Sequence, residues 1–293
     1  MLCTSLPRWI RSGERLLVLD GASGTELRRR GAGAECLERA NSSQPELVST
    51  LAREYADAGA ALVRTNTFQA NALALRAHGL EREVDSLNRA AVQLARLGAG
   101  EDAQVVGSIG PLGMRFRTPS IEREQARAVY AEQALALEAG GADALVLETL
   151  IDLDEAELAL DVLAHQVSIP FGLTMTFRAD PSGPRTATGA TPEAVVRVAE
   201  SAGAAFVGAN CGTGLEGMEE LARALSRSRL PLWMAPSAGV PGAARSAPMA
   251  TPAAFAELGT RLGSLGVAVY GGCCGTDPTF IRALSARLAL KLE

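Results

Sequence analysis

Two hydrophobic periods alternate along the chain from end to end. Short, nearly unbroken apolar runs occur at 16–20 (LLVLD), 61–67 (ALVRTNT), 103–109 (AQVVGSI) and 144–149 (ALVLET). Four more follow at 171–177 (FGLTMTF), 205–211 (AFVGANC), 231–236 (PLWMAP) and 267–273 (VAVYGGC). Parallel strands buried on both faces read this way, whereas half-exposed strands alternate strictly. Between the runs the spacing turns helical, most clearly over 45–58, 83–97, 121–139, 154–165, 192–202, 216–227, 251–264 and 278–290. Pro45-Glu46, Thr191-Pro192-Glu193 and Asp277-Pro278 supply start signals, and Gly59, Gly98, Gly140-Gly141 and Gly203 supply stops.

Eight strand–helix repeats with no composition break predict one α/β domain over 1–293, a single (β/α)8 TIM barrel. The length of 293 residues would suggest two domains on average, but barrels commonly run past about 250 residues as one unit. A doubly wound sheet is the competing architecture. It calls for a G-x-G-x-x-G turn after the first strand, and Gly21-Ala22-Ser23-Gly24 does not have that spacing.

Composition narrows the function. Hydrophobic residues at 47% and charged residues at 21% suit a globular enzyme with a core large enough to need no covalent staples. A net charge of −5 argues against a nucleic-acid surface, and Arg28-Arg29-Arg30 reads as a solvated helix end. No segment is apolar enough to span a bilayer, and the beginning of the chain, with Arg8, Arg11, Glu14 and Arg15, lacks a signal-peptide core. A cytoplasmic location, with reduced thiols, is expected. The five cysteines are Cys3, Cys36, Cys211, Cys273 and Cys274, an odd and uneven set that does not suggest a disulfide framework.

Barrel enzymes place their chemistry at the C-terminal ends of strands. Those ends read Asp20-Gly21, Thr65-Asn66-Thr67, Gly107-Ser108-Ile109-Gly110-Pro111, Glu148-Thr149, Asn210-Cys211-Gly212, Pro236-Ser237 and Gly271-Gly272-Cys273-Cys274-Gly275. The sixth and eighth strands of a closed barrel have one strand between them, so Cys211 can meet Cys273 and Cys274 at one rim. Three converging sulfurs suggest zinc with a fourth position open to substrate. Consecutive residues of a regular strand face opposite ways, so both sulfurs of the pair reach one ion only if the flanking glycines allow an irregular backbone. Buried packing cysteines and a vicinal redox pair remain alternatives on the residues alone. The loop over 178–190 is long for its place after the fifth strand and lies on the same face.

The segments Asp20-Gly21-Ala22-Ser23-Gly24-Thr25, Thr65-Asn66-Thr67-Phe68, Gly107-Ser108-Ile109-Gly110-Pro111, Glu148-Thr149, Gly208-Ala209-Asn210-Cys211 and Gly271-Gly272-Cys273-Cys274-Gly275-Thr276 together resemble the homocysteine S-methyltransferase family. The likeness runs in order from about residue 16 to 285, and the cysteine followed distantly by Gly-Gly-Cys-Cys-Gly is its most specific part. The resemblance implies transfer of a methyl group to the homocysteine thiol, forming methionine, with Zn2+ held by Cys211, Cys273 and Cys274. It implies that Asp20 and Glu148 hold the substrate ammonium. Gly21, Thr25, Asn66, Thr67, Ser108 and Ser237 complete the expected substrate site, with backbone amides over 21–25 facing the carboxylate. Cobalamin-dependent relatives tend to carry Pro-Asn-Ala-Gly after the seventh strand. Here the segment is Pro236-Ser237-Ala238-Gly239, so Ser237 or a water would take the asparagine's place at the metal.

The donor is less constrained. Betaine calls for an aromatic cage, and aromatics make up 4% of the chain, with Gln69 where betaine users tend to place tyrosine. The Thr65-Asn66-Thr67-Phe68 wording resembles the methionine-synthase branch, yet His78 and His165 are the only histidines and neither sits in a corrinoid-binding motif. A sulfonium donor, S-methylmethionine or S-adenosylmethionine, needs no further domain. A methyl-corrinoid or methylfolate system would need a separate protein, and then the chain could be a homocysteine-binding subunit with no activity of its own. A zinc hydrolase on the same barrel would need histidine ligands at strand ends. Cys3 and Cys36 are read as structural or incidental.

Overall fold

In the computed structural model, residues 16–33, 35–114, 120–212, 214–239 and 249–290 are described. Cys3 and the basic residues before Leu16 lie outside them. The barrel strands are β1 (Leu17–Val18), β2 (Leu62–Arg64), β3 (Gln104–Ile109), β4 (Ala144–Leu150), β5 (Phe171–Met175), β6 (Phe206–Cys211), β7 (Leu232–Pro236) and β8 (Val267–Tyr270). Each of the eight expected runs forms one of them. The helices between them are α1 (Pro45–Asp57), α2 (Val84–Ala99), α3 (Arg123–Ala139), α4 (Leu153–Gln166), α5 (Pro192–Ser201), α6 (Met218–Leu225), α7 (Pro252–Ser264) and α8 (Pro278–Ala289).

All neighbouring strands pair parallel, in the order β1-β8-β7-β6-β5-β4-β3-β2. The ring closes between β1 and β2 through the parallel bridge Leu19↔Leu62, with Asp20 N–H donating to Leu62 O at 3.0 Å. The fold is therefore a (β/α)8 barrel. Closure satisfies every edge, which an open sheet of this apolarity would leave exposed.

Helix starts follow the sequence signals. Thr191, Thr251 and Asp277 each accept a hydrogen bond from the first turn of the helix that follows, with proline at its start. The core has two layers. Leu19, Leu62, Val106, Val146, Phe206, Trp233 and Val269 fill the barrel itself, and a larger cluster lies between strands and helices. Phe206 and Trp233 stack with centroids 4.7 Å apart and plug the barrel. Gly172 makes room for them, since a Cβ there would run into the Phe206 ring.

Three features depart from the sequence reading. Short helices at Ser23–Arg29, Ala40–Ser43 and Ala72–Arg76, with a 3-10 turn at Leu37–Arg39, roof the rim after β1 and β2. The loop after β5 carries a small antiparallel hairpin, Phe177–Arg178 against Arg185–Thr186. The arginine run does end a helix, but it is not simply solvated. Arg29 pairs with Glu26 at 2.7 Å and Arg30 with Glu54 at 2.5 Å.

Candidate active site

A cavity of about 540 Å³ opens at the C-terminal ends of the strands. Cys211, Cys273, Cys274, Glu148, Ser108 and Arg64 are among the residues that line it. The three sulfurs lie within 4.8 Å of one another, and Cys211 Sγ is 3.9 Å from Cys274 Sγ. None is in a disulfide. Zinc–sulfur bonds of about 2.3 Å in a tetrahedron put sulfurs about 3.8 Å apart, so this spacing fits one zinc ion. The thiol-only donor set fits it too, and redox pairing or simple packing explains a three-sulfur cluster at a cavity wall less well.

The backbone shows how adjacent cysteines face one site. Strand β8 ends at Tyr270, so Gly271 to Gly275 form a turn rather than a strand. Cys273 N–H donates to Pro236 O at 2.9 Å, and Thr276 Oγ1 donates to Cys273 O at 2.7 Å. Gly275 takes φ +81, and a Cβ there would collide with Gly239 O. Cys211 itself adopts φ +56, an unusual conformation for a residue with a Cβ, and Thr149 adopts φ +64. Left-handed non-glycine residues at two strand ends mark local strain at the site.

Asn210 ties these pieces together. Its Oδ1 accepts from Thr149 N at 2.8 Å and Thr174 Oγ1 at 3.0 Å. Its Nδ2 donates to Thr149 Oγ1 at 2.7 Å and lies 3.7 Å from Cys273 Sγ. Such outer contacts orient ligands and adjust their charge. The thiols share protons among themselves. Hydrogen bonds from Cys211 and Cys273 draw Cys274 down to about 3 against the effect of burial. Hydrogen bonds to its two neighbours, then burial, hold Cys211 well above the usual thiol value.

The expected substrate residues fall into two groups. Thr25, Asn66, Thr67, Ser108 and Glu148 line the cavity with the cysteines. Thr67 Oγ1 donates to Ser108 O at 2.7 Å, and Asn66 Nδ2 donates to Leu37 O at 2.8 Å, fixing the roof. Asp20, Gly21 and Ser237 do not reach the cavity wall. Ser237 Oγ donates to Cys274 O at 3.0 Å and braces the turn. Gly21 O accepts from Arg64 Nη2 at 2.9 Å.

Arg64 is the residue that sequence reasoning missed. Its Nε donates to Asp20 Oδ1 and its Nη1 to Glu148 Oε2, both at 2.8 Å. Its backbone N–H donates to Asp20 Oδ2 at 2.8 Å, and Nη2 also donates to Gly272 O at 2.6 Å. Ser108 Oγ donates to the other oxygen of Glu148. Burial works against the Arg64 charge, but Asp20 and Glu148 overcome it and hold the pKa above the ordinary arginine value. Burial pushes Asp20 up to about 6 despite Arg64. A signal was present: a cation inside the apolar run 61–67 must be paired if the run is a barrel strand. Cys36 also lies in the cavity wall, and the hairpin after β5 does not.

A closed barrel whose rim gathers three free thiols, two carboxylates and a substrate-sized cavity has the architecture of an α/β-barrel enzyme whose three-cysteine cluster could hold a metal ion. The homocysteine S-methyltransferase family profile matches residues 17–288, and the chain belongs to that family. It is 33% identical over 297 residues to a methionine synthase of Mycobacterium tuberculosis, covering 94% of this chain and 25% of the relative. A methionine synthase of Mycobacterium leprae is 33% identical over 298 residues, covering 94% of this chain and 24% of the relative. The chain thus spans about a quarter of the length of these relatives. The homocysteine methyltransferase MmuM from Escherichia coli, in its metallated form, superposes with a TM-score of 0.80 at 27% identity, covering 96% of this chain and 99% of the other.

Proposed function

We propose that this chain transfers a methyl group to the thiol of homocysteine, forming methionine, with zinc held by Cys211, Cys273 and Cys274. The observation that carries the reading is the convergence of those sulfurs, within 4.8 Å, on the wall that also holds Glu148 and Ser108. Zinc held by Cys211, Cys273 and Cys274 would supply the positive charge that favours the thiolate form of a substrate sulfur at neutral pH.

The chain's own residues do the rest. Glu148 receives the substrate ammonium through a charge-assisted hydrogen bond, and Ser108 orients that carboxylate. Asn210 holds Thr149 and lends an N–H to Cys273. The Asn66–Leu37 hydrogen bond pins two residues of the cavity wall to each other. Thr25 and Thr67 shape the walls.

The donor we favour is a small sulfonium, S-methylmethionine or S-adenosylmethionine. The cavity is larger than a small thiol amino acid needs, and Phe68 is the one phenylalanine, tyrosine or tryptophan lining it among the described residues. That lining offers no aromatic cage for betaine. The kinship with methionine synthases favours a second reading, in which methyl arrives from a corrinoid or folate protein. Free thiols suit the reducing cytoplasm. No helix among the described residues is long and apolar enough to cross a membrane.

The test measures zinc content and methionine formation together, on reduced protein with homocysteine and S-methylmethionine. About one zinc per chain, lost in Cys211→Ser and Cys273→Ser, with methionine formed, supports the reading and the sulfonium donor. Zinc without methionine moves the donor to a partner protein, with this chain as its homocysteine-binding subunit. A reduced parent that neither holds nor takes up zinc overturns the metal site.

A further inference from the structure

The family pattern offers the substrate ammonium two carboxylates, but here one is already taken. Asp20 is fully buried, and each of its oxygens accepts a bond from Arg64, one from the side chain and one from the backbone. Glu148 alone of the two lines the cavity, and it too accepts from Arg64. Arg64 is held in turn by Gly21 O and Gly272 O, so it is built into the wall and not free to swing aside. With Arg64 charged, the Asp20–Arg64–Glu148 trio carries one net negative charge. A bare carboxylate pair reaches that charge only after it has bound an ammonium.

We propose that Arg64 is a specificity-determining residue: a resident counter-cation that occupies Asp20 and weakens the demand for an ammonium on the acceptor. The pocket then takes ω-thiol carboxylates with no α-amino group alongside homocysteine. This rests on the reading of the site as a zinc-dependent thiol methyltransferase. The transferred carbon balances as in that reaction. A lone pair on the acceptor sulfur forms the new S–CH3 bond, and the donor's sulfonium C–S bond breaks with its pair on the donor sulfur. The donor leaves as a neutral thioether, and the thiol proton passes to solvent.

The experiment compares homocysteine with 4-mercaptobutanoate, which keeps the thiol and carboxylate and lacks the ammonium. Binding to the zinc-loaded full chain is measured by calorimetry, and methyl transfer from S-methylmethionine is followed in parallel. One lost charge-assisted contact costs about tenfold in Kd, and two cost about a hundredfold or more. A Kd for 4-mercaptobutanoate less than about thirtyfold weaker than for homocysteine is expected, and a larger gap overturns the proposal. Two variants read the site through the ratio of the two Kd values, which a general loss of structure leaves alone. Glu148→Gln should bring the ratio close to one, and Arg64→Gln, which leaves Asp20 and Glu148 without their resident cation, should widen it in favour of homocysteine. If Arg64→Gln leaves the ratio where the parent has it, Arg64 does not set the demand for an ammonium and the proposal fails. If the zinc-loaded parent binds neither thiol, the thiol-acceptor reading and this proposal fall together.

Discussion

Asn210 and Thr149 grip each other through a reciprocal pair of hydrogen bonds, Thr149 N to Asn210 Oδ1 at 2.8 Å and Asn210 Nδ2 to Thr149 Oγ1 at 2.7 Å. The pair spans β4 to β6 and holds Thr149 at φ +64 beside Glu148. It therefore connects the carboxylate wall to the Cys211 strand end. Asn210→Ala removes these contacts and the N–H facing Cys273, and should cost about 2–3 kcal/mol of stability. Zinc affinity should fall by about tenfold or more, as for other outer contacts of metal ligands. Asn210→Asp keeps the acceptor for Thr149 N but replaces the N–H near sulfur with negative charge. Competition with a zinc-binding dye should rank the parent above both variants. Equal affinities would show that Asn210 does not act on the metal site.

The turn that aims Cys273 and Cys274 depends on Gly275. Its φ of +81 and the nearness of Gly239 O leave no place for a side chain. Gly275→Ala should destabilise by more than about 2 kcal/mol, from left-handed strain and collision together. Zinc content should drop with it. Gly31→Ala is a fitting control, because it shares positive φ with nothing near its Cβ. It should pay the backbone strain alone and keep its zinc.

Acid should act on Asp20 in a direction opposite to the usual carboxylate. Burial raises its pKa from 3.8 to about 6 in the folded chain. The folded state therefore holds this proton more tightly than the unfolded chain does. The resulting stability is fully present below pH 4 and is lost as pH rises through about 6. Two pH units at about 1.4 kcal/mol each give a change of about 3 kcal/mol. Denaturant midpoints for parent and Asp20→Asn should diverge accordingly, the parent losing stability relative to the variant between pH 4 and pH 7. A difference that stays flat over that range would mean Arg64 keeps Asp20 ionised throughout.

Metal removal gives a separate check. A ligand that binds only the folded chain at a hundredfold its Kd stabilises by about 2.7 kcal/mol. For a chain of this length that corresponds to about 5 °C in Tm. Chelation should lower Tm by about that amount, and added zinc should restore it. Cys211→Ser and Cys274→Ser should lower Tm and no longer respond to zinc.

Much of this molecule was legible in the residues alone. The eight apolar runs and eight helical stretches map onto the strands and helices of the barrel because both periods are local consequences of burial on a strand or helix face. The cysteines were also legible, since a strand-end position in a closed barrel points to the rim. The short roof helices were not. Ala40–Ser43 and Ala72–Arg76 are too brief to show a period, and Asn66, Asn41 and Asn71 hold the segments around them through side-chain bonds. The hairpin after β5 escaped for the same reason, with two residues per strand.

The sequence by itself determined the barrel, the rim that carries the polar residues, and the set of three sulfurs. Those follow from periodicity and residue type, which act over a few neighbouring positions. Only the tertiary structure decided how charge is distributed at that rim. Asp20 follows β1, Arg64 ends β2 and Glu148 lies in β4, so Arg64 is 44 and 84 positions from its two partners. Burial within the closed barrel forces the cation in β2 to find partners, and closure brings Asp20 and Glu148 within its reach. No local pattern records which of two carboxylates is left facing the cavity, because that choice is made by a long-range pairing of buried charges.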